Sequence, residues 1–568
     1  MIDIKYSPND PRYIFIFTDT PREMKLLEAH LNKIPPYMFL PSFTGIPKPE
    51  VFLHTVKSPK TGNIIRYCHS GLWKEIVDFC KHNNIMVKGV FDDEKFKYTG
   101  FNLTKEQFRT YVNSWNLNLK PRDYQVEAAW LILKFRQSLS QLATRAGKTL
   151  IAYMVFRYML EHGAHNILMV VPNVSLVKQG VGDFSEYQEF FKAETVWAGG
   201  QLCNSSNLTI GTFQSLVKMA DKRSSKYNPS FFKKFDVVLI DECHTAKCAS
   251  INTILNLDSW KGVKIKFGFS GSLPLPDTIE SLSCQSLLGP KIQDITSREL
   301  MDQGFITPIE IEQIRIHYDN DDTLKNSYIK LGEYICGTYV EGPGKKRLKL
   351  PVDEQRFLMT HQKQLPFAIR ILKQQYVSGI INKEQYIDYL VNLCKAKGAN
   401  LLLLEQMLMF EQTRRLDVME DLFNGMHKNC IVFAHHTEYL KFLESYFKEK
   451  FPQRHIYLIT GSTSIKKRDK VIKELLENND CILFASYGCT ATGLTLKNID
   501  FGIFAESFKS QIINKQAMGR GLCLANDKDV YKLYDLIDCF PTKRLLFQGK
   551  SKEALYKKES LKYKIVNI

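Results

Sequence analysis

Short apolar runs alternate with stretches of helical periodicity along most of the chain. The runs at 166–172 ("NILMVVP") and 235–241 ("FDVVLID") have the length and composition of buried strands. Residues 148–163 ("KTLIAYMVFRYMLEHG") instead place apolar side chains at helical spacing and end at a glycine. Strands that alternate with helices in this way predict an α/β fold built on parallel, doubly wound sheets.

The pattern changes along the chain and divides it into five segments. We predict a small α+β domain at 1–105, a first α/β domain at 106–310 and a second α/β domain at 425–540. Residues 311–424 begin the second domain and carry a helical insertion with a basic, glycine-rich turn, "EGPGKKRLKLP". Such an insertion could grip a nucleic-acid duplex, act as a wedge that separates strands, bind a partner or cap the core of the domain. Residues 541–568 predict a basic helical tail, which suits a phosphate backbone or a solvated face.

The net charge of the chain indicates the kind of partner that it binds. The 568 residues have a formal net charge of +17 and 12% aromatic residues, which favours a polyanion such as nucleic acid, with a solvated basic surface as the alternative. The thirteen cysteines are scattered without a Cys-x-x-Cys pair, so we expect a reducing, cytoplasmic location and neither a zinc site nor a disulfide framework. The N-terminus lacks an apolar signal core and the apolar runs are too short to cross a bilayer, so we expect no membrane role.

The segment "LATRAGKTLIAY", residues 142–153, contains the end of a phosphate-binding loop. Such a loop needs backbone amides around phosphate oxygens, a lysine for the β and γ phosphates and a hydroxyl for magnesium. Gly147, Lys148 and Thr149 have these groups, but Leu142 and Arg145 stand where such loops usually have glycines. The helical pattern that follows would put a bound anion at a helix N-terminus. For this segment alone, an ordinary helix start is the alternative.

Two carboxylates follow the strand pattern at 235–241. Asp241 and Glu242 come at its carboxyl end, where open α/β sheets bind their ligands. Beside a phosphate loop, the aspartate can hold magnesium and the glutamate can polarise the water that attacks a phosphoryl group. Alone, the pair is also typical of a solvated turn. In this order after a phosphate loop, it predicts a nucleotide hydrolase.

Further motifs in the same order make the sequence resemble the superfamily 2 helicases, with "DECH" as their DExH box. The resemblance runs from about Leu119 to Ile537. Its motifs are "LKPRDYQVEAA" (the glutamine motif), "ATRAGKT" (I), "VPNVSLVKQ" (Ia), "IGTFQSL" (Ic), "FGFSGSL" (III), "NCIVFAHHTEYLKFL" (IV), "ASYGCTATGLTL" (V) and "QAMGRGLCL" (VI). The resemblance implies two RecA-like, parallel-sheet domains of the P-loop NTPase class, which close on ATP and step along a strand.

The resemblance also implies ATP and Mg²⁺ as cofactors, and assigns catalytic roles. Lys148 would bind the phosphates, Thr149 and Asp241 would hold the magnesium ion, and Glu242 would activate water. Arg520 would complete the site from the second domain.

Other residues are implied for nucleotide binding, for nucleic acid and for coupling. In the glutamine motif, Gln125 would hydrogen-bond to adenine and Arg122 or Tyr124 would pack near the base. The remaining nucleotide contacts would be Thr144, Arg145, Ala146, Gly147 and Gly493. Contacts to the nucleic-acid backbone would come from Pro172, Asn173, Gly211, Thr212, Gln214, Thr490 and Thr492. Coupling of the DExH box to the strand-binding site would use His244, Ser270 and Ser272.

Motif VI departs from the family pattern Gln-x-x-Gly-Arg-x-x-Arg. Gln516 and Arg520, the implied catalytic residues of this motif, match it, but Cys523 replaces the last arginine. An arginine there stabilises charge on the transferring phosphoryl group, and its removal can cost about 10³-fold in rate. The sequence leaves open whether Arg520 acts alone, whether Lys515 assists it or whether the ATPase is slow. Cys523 itself also suits a small, buried packing residue.

The flanks resemble the phage UvsW-type recombination helicases, through the element order of residues 1–105 and through "LLGPKIQDITSRELMDQGFITPIEI" after motif III. A generic module that only packs on the first domain is the alternative for 1–105. The resemblance implies a phage-encoded, monomeric, ATP-dependent DNA helicase or translocase in the bacterial host cytoplasm. It would remodel single-stranded, forked or branched DNA in replication, recombination or repair, with proteins of those processes as further partners. An RNA helicase and a nucleic-acid-binding accessory protein with a degenerate ATPase are the alternatives.

Overall fold

The computed structural model describes most of the chain as two compact units. Unit 1 lies within residues 1–306 and unit 2 within residues 307–568. The structure describes all residues except 8–9, 36–37, 39–47, 59–61, 90–99, 197–205, 245–248, 319–378, 380–381, 383–411, 488–495, 497, 507, 509, 526–527 and 540–543. Most of the helical insertion that the sequence predicts therefore lies outside the described residues.

Unit 1 begins with a small domain, a mixed sheet covered on one face by two helices. Its strands are β1 Ile2–Tyr6, β2 Tyr13–Thr18, β3 His54–Lys57, β4 Ile64–His69 and β5 Val87–Gly89, in the order β3-β4-β2-β1-β5, and its helices are α1 Pro21–Leu31 and α2 Trp73–His82. Alternate apolar residues of β1 and β2 point to the helices, so Ile2, Ile4, Ile14 and Ile16 are buried in one core.

The main part of unit 1 is a seven-stranded parallel sheet with helices. Its strands are β6 Gln137–Leu142, β7 Ile167–Val171, β8 Ala193–Val196, β9 Leu208–Thr212, β10 Val237–Ile240, β11 Ile265–Ser270 and β12 Lys291–Ile295, in the order β12-β6-β11-β10-β7-β9-β8. Its helices are α3 Lys105–Ser114, α4 Asp123–Lys134, α5 Lys148–Glu161, α6 Val174–Tyr187, α7 Phe213–Ala220, α8 Ala249–Leu255, α9 Ile279–Leu288 and α10 Ser297–Asp302. Every residue of β7 and β10 is buried, which is why these strands are continuous apolar runs.

The small domain packs directly against the main part of unit 1. Ile279 and Leu282 of α9 join the core of the small domain. Arg12 donates hydrogen bonds to the Leu257 carbonyl at 2.9 Å and to the Asp258 carboxylate at 2.8 Å. The helix-covered face of the small sheet therefore takes part in this interface through α9, and Arg12 adds a second contact beside Tyr13.

Unit 2 contains a second seven-stranded parallel sheet. Its strands are β13 Ile309–His317, β14 Cys430–Ala434, β15 His455–Ile459, β16 Cys481–Ser486, β17 Phe501–Phe504, β18 Tyr531–Cys539 and β19 Lys562–Asn567, in the order β15-β16-β14-β17-β18-β13-β19. Its described helices are α11 Thr413–Asn424, α12 Thr437–Lys450, α13 Ile465–Glu477, α14 Gln511–Met518 and α15 Arg544–Lys558. Together with unit 1, it gives the two parallel-sheet domains that the sequence predicts.

The basic tail differs from the predicted helix in its last residues. Helix α15 ends at Lys558, and the chain then forms β19, which pairs in parallel with β13. Lys562 and Lys564 form ion pairs with Glu310 and Glu312 of β13, at 2.5 and 2.8 Å. Part of the tail's charge is thus neutralised within the sheet. Among the helices of the described residues, none has the length and apolar composition that crossing a membrane requires.

Candidate functional site

The carboxyl ends of the unit 1 strands bring the predicted motifs to one edge of the sheet. Parallel strands end at the same edge, where open α/β sheets bind their ligands. Motif I follows β6, the DExH box follows β10, and motif III follows β11, all in adjacent strands. Motifs Ia and Ic follow β7 and β9, the next two strands along the sheet.

The phosphate loop joins β6 to α5 with two residues in left-handed backbone conformations. Leu142 ends β6 and is buried, so it belongs to the core. Gly147 has φ of 77° directly before α5, and a Cβ there would lie 2.2 Å from Gln125 Nε2. Arg145 has φ of 73°, a conformation that glycine adopts freely and that costs other residues about 1–2 kcal/mol. The backbone at 145 therefore keeps the conformation suited to a glycine although its side chain is that of arginine.

The glutamine motif is tied to the phosphate loop. The Ala146 carbonyl accepts hydrogen bonds from the Tyr124 hydroxyl and from Gln125 Nε2, each at 3.0 Å. Gln125 is buried, and its Oε1 accepts a hydrogen bond from the Arg122 amide at 2.9 Å. Gln125 thus holds the loop in place, and its predicted contact with adenine stays a prediction.

Phe305 is a neighbour of this motif that the sequence analysis did not identify. The Arg122 guanidinium lies 4.3 Å from the centre of the Phe305 ring, and the Tyr124 and Phe305 rings are 5.4 Å apart. A cation over an aromatic face is a favourable contact. No local pattern links Phe305 to the glutamine motif, because the two segments lie far apart along the chain.

The lysine of motif I contacts the glutamate of the DExH box. Lys148 Nζ lies 3.3 Å from Glu242 Oε1, and both side chains are about 20% exposed. The Asp241 amide donates a hydrogen bond to the Val170 carbonyl at 2.9 Å, which fixes the backbone at the end of β10. Glu242 has φ of 50°, so the chain turns sharply at the DExH box. The structure therefore brings three of the predicted catalytic residues together.

A chain of polar contacts leads from Glu242 to motif III. His244 Nδ1 lies 3.2 Å from Glu242 Oε2 and 2.9 Å from the Ser270 hydroxyl. The Ser270 hydroxyl donates to the Ser272 carbonyl at 2.8 Å and accepts from the Ser272 amide at 3.1 Å. Because the hydroxyl proton is used on Ser272, we assign the Nδ1 proton to His244. The three predicted coupling residues are thus in direct contact.

The two carboxylates of the DExH box differ in their ionisation. Burial and the adjacent Glu242 charge raise the pKa of Asp241 to about 6. Burial also acts to raise the pKa of Glu242, but the Lys148 charge and the His244 hydrogen bond outweigh it and lower that pKa to about 2. Burial opposes the charge of Lys148, yet both carboxylates together raise its pKa. Glu242 and Lys148 are therefore both charged at neutral pH.

The residues at this edge fit a magnesium ion. Asp241 Oδ1 is buried and has no hydrogen-bond partner among the described residues. Burial raises the pKa of Asp183 on α6, and hydrogen bonds from Gln179 and Thr149 oppose that rise. A Thr149 hydroxyl that donates to Asp183 keeps its oxygen lone pairs for a metal. Carboxylate and hydroxyl oxygens are the hard ligands that Mg²⁺ prefers.

The predicted nucleic-acid residues of unit 1 lie at the ends of two paired strands. Val171 of β7 pairs with Thr212 of β9, so Pro172 and Asn173 lie beside the motif Ic segment. Asn173 caps α6 by accepting a hydrogen bond from the Leu176 amide at 3.0 Å. Thr212 caps α7 in the same way. The neighbouring Gly211 is buried and Gln214 is exposed.

The motif V and VI residues belong to a different part of the chain. Gln516 is on α14 and Arg520 follows it, and both are half-buried. Lys515, considered above as an assisting cation, is paired with Glu559. Cys523 is 9% exposed, which suits a packing role. Thr490, Thr492 and Gly493 lie outside the described residues.

Comparison with known proteins places the chain in a family. It is 25% identical over 478 residues, 82% of this chain and 78% of the relative, to the ATP-dependent DNA helicase uvsW of Enterobacteria phage T4. Residues 118–274 match the family model described as "Type III restriction enzyme, res subunit", and residues 414–523 match "Helicase conserved C-terminal domain". The chain is a superfamily 2 helicase.

Two further likenesses are consistent with a superfamily 2 helicase. The probable helicase A859L of African swine fever virus is 24% identical over 258 residues, which are 41% of this chain and 28% of that protein. The structure of the ATP-dependent Type ISP restriction-modification enzyme LlaBIII bound to DNA superposes with a TM-score of 0.51 at 13% identity, over 79% of this chain and 31% of that one. At this identity the superposition shows a shared fold. ATP use and a nucleic-acid substrate follow from the helicase family.

Proposed function

We propose that this helicase is an ATP-dependent DNA translocase that unwinds or remodels branched DNA during replication, recombination or repair. The observation that carries the proposal is the 3.3 Å contact between Lys148 of the phosphate loop and Glu242 of the DExH box. It lies at the sheet edge that also holds the motif Ia and Ic segments. The similarity to a phage helicase named as acting on DNA supports DNA as the substrate.

The ion pair suggests how hydrolysis is controlled. Phosphates of ATP would compete with Glu242 for Lys148, because both are anions. Once Lys148 turned to the phosphates, Glu242 would lose the charge that lowers its pKa and become a better base for the attacking water. Glu242 is therefore proposed to be held ionised but weakly basic until the phosphates arrive.

The metal and the remaining residues have separate tasks in this proposal. Magnesium, when bound, would neutralise charge on the β and γ phosphates. Thr149 and Asp241 are proposed to hold it, since their oxygens fit a hard cation. Gln516 and Arg520 are proposed as the catalytic residues of unit 2, with Arg520 acting without a second motif VI arginine.

The contacts of His244 support a coupling role. His244 Nδ1 contacts the Glu242 carboxylate at 3.2 Å and the Ser270 hydroxyl at 2.9 Å. A change in the charge or position of Glu242 would therefore change the hydrogen bonding of His244 to Ser270. Ser270 in turn holds the Ser272 backbone on both sides. We propose that this chain passes the state of the DExH box to motif III.

The decisive experiment is ATPase activity of the full chain with single-stranded, blunt duplex, forked and four-way DNA, beside matched RNA. We expect stimulation by DNA, and ATP-dependent unwinding or remodelling of forks. Lys148→Ala serves as the control that removes hydrolysis. Stimulation by RNA without a response to branched DNA would instead favour an RNA helicase. ATP binding without turnover on any nucleic acid would favour an accessory protein.

Salt dependence gives a second test. Phosphate contacts by lysine and arginine release counterions, so affinity for DNA should fall steeply as salt rises. Base sequence should have little effect, because the motif Ia, Ic and V segments are proposed to contact the backbone. Affinity that hardly changes between low and moderate salt would contradict this mode of binding.

A further inference from the structure

The face of the small sheet opposite α1 and α2 is lined by aromatic residues. Strand registers and side-chain alternation put residues at odd positions of β2 on this face, together with their partners on β3 and β4. The aromatic residues on this face, which we call the aromatic face, are Tyr13, Phe15, Phe17, His54, Tyr67 and His69. The core of the domain lies on the other side of the sheet.

The rings form neighbouring rows across three strands. Phe15 pairs with Tyr67, and Tyr67 pairs with His54. The Tyr67 ring lies 5.7 Å from the Tyr13 ring and 5.3 Å from the His54 ring. Adjacent strands are about 4.8 Å apart, and residues on one face of a strand recur at about 7 Å. The aromatic face thus carries neighbouring rings on adjacent strands, of which Tyr13 and Tyr67 meet edge to face.

Solvent reaches part of these rings, and an exposed lysine lies beside one of them. Phe17 is 40% exposed, and Phe15 and Tyr67 are partly exposed. Lys5 Nζ lies 5.4 Å from the centre of the Phe17 ring and 3.2 Å from Asp3 Oδ2, with its own side chain 63% exposed. At the other end, the Arg12 guanidinium lies 5.5 Å from the centre of the Tyr13 ring, but it is buried and paired with Asp10 and Asp258, so that end of the face lies against the main part of unit 1. Aromatic rings that reach solvent beside the exposed Lys5 indicate a surface for an anionic ligand with flat apolar parts.

We propose that the aromatic face binds a short single-stranded segment of DNA, with bases stacked on the rings and phosphates near Lys5. Every base has a face that can stack, and sheets that present aromatic rings bind single strands in this way. A second copy of this chain is a poorer occupant, because a two-fold contact would bring two chains of charge +17 together. The inference rests on the proposed function, because the single strand that the small domain would bind is the one exposed at a branch of the DNA.

The test compares aromatic-face variants of the full chain with a matched aromatic residue elsewhere. Phe17→Ala/Tyr67→Ala removes two rings, and Phe17→Leu/Tyr67→Leu keeps apolar volume without a stacking ring. Tyr227→Ala is the control, because Tyr227 is a 38% exposed aromatic residue of unit 1 that lies outside the aromatic face. Affinity is measured by fluorescence anisotropy without ATP, on blunt duplexes and on forks with single-stranded arms.

We expect both double variants to weaken binding to the forks by about tenfold or more, since stacking on an aromatic side chain contributes strongly for each base. Binding to blunt duplex should not change, and Tyr227→Ala should bind like the wild type. Photocrosslinking of 5-iodouracil in a fork arm to the wild-type protein should label peptides that contain β2 or β4. If the alanine variant fails to fold, the leucine variant and the wild-type crosslinks decide.

Equal fork affinity in the leucine variant and the wild type, or crosslinks confined to other peptides, would overturn the proposal. A changed sedimentation coefficient of the variants with unchanged DNA affinity would show that the face joins copies of the chain, and would also overturn it. Failure of the proposed function looks different, because then no DNA stimulates the wild-type ATPase. The binding and crosslinking results do not depend on hydrolysis.

Discussion

The ammonium of Lys148 lies 3.3 Å from the carboxylate of Glu242, and both groups are charged and largely buried. The two residues come from different motifs, so the phosphate loop and the DExH box stabilise each other. Removal of one partner of such a pair leaves the other as a buried charge without compensation. This lowers the free energy of unfolding more than loss of the contact itself would. Substitutions at the two positions should therefore not be additive.

We expect Lys148→Ala to abolish ATP hydrolysis and also to lower the free energy of unfolding, because Glu242 loses its counter-charge. Glu242→Gln should bind ATP without turnover. The double variant Lys148→Ala/Glu242→Gln should recover much of the stability but none of the activity. ATPase assays and urea denaturation of the three variants test this. Additive stability losses would show that the contact is unimportant, and wild-type turnover in Lys148→Ala would remove Lys148 from the site.

Arg145 offers a test of the phosphate loop. Its φ of 73° favours glycine, so Arg145→Gly should stabilise unit 1 by roughly 0.5–1 kcal/mol and keep ATPase activity. Arg145→Ala keeps the unfavourable backbone and removes only the side chain, so it separates the two effects. Thermal unfolding and ATP titration give the comparison. Equal losses of ATP affinity in both variants would mean that the Arg145 side chain itself binds the nucleotide.

Lys266 on β11 predicts a pH dependence of stability. Burial and the Arg12 charge lower its pKa from 10.5 to about 7. Between about pH 7 and pH 10.5 Lys266 is therefore more protonated in the unfolded chain than in the folded chain. Its burial lowers the free energy of unfolding, and this effect becomes smaller as the pH rises. Lys266→Met should be more stable than the wild type at about pH 7, with a smaller difference at about pH 9. Denaturation at both pH values, with the exposed Lys74→Met as control, checks this, and a pH-independent difference would contradict it.

Arg415 is a buried charge of unit 2. Its side chain is 1% exposed, pairs with Asp538 and donates to the Tyr439 hydroxyl at 3.0 Å. Arg415→Ala would leave Asp538 buried without its cation, so we expect a loss of about 3–5 kcal/mol in the free energy of unfolding. Lys441→Ala, which breaks an exposed pair with Glu438, should cost at most about 1 kcal/mol. Urea denaturation gives the free energy of unfolding of both variants. Similar losses would show that the buried Arg415–Asp538 pair does not stabilise unit 2 more than an exposed pair does.

The main sheets could be predicted from the sequence because their strands are buried on both faces. Continuous apolar runs such as β7 and β10 have few other interpretations. Strand β1 was not predicted, since "IDIKY" mixes charged and apolar residues and its parallel partner β5 lies far along the chain. Strand β19 was predicted as helix for a similar reason. Its lysine-rich sequence becomes a strand through pairing with β13, 252 positions away at Lys562 and Glu310.

The residues of the candidate site also divide into those that could be predicted from the sequence and those that could not. Lys148, Glu242 and His244 belong to short motifs, so their proximity followed from motif order. Phe305 beside Arg122 and Asp183 beside Thr149 are products of tertiary packing, for which a local pattern has no signal. The glycine-like backbone at Arg145 was also hidden, because the sequence records only the side chain.

The pairing of β13 with β18 has a consequence for folding. Gln313 and Asp535 are neighbours in the sheet although 222 positions separate them. Long-range pairings form slowly, so unit 2 should complete its sheet late in folding. The thermodynamic penalty for closing such a loop grows only with the logarithm of its length, by about 0.6 kcal/mol per doubling. The number of residues that separate β13 from β18 therefore has only a small influence on the free energy of this pairing.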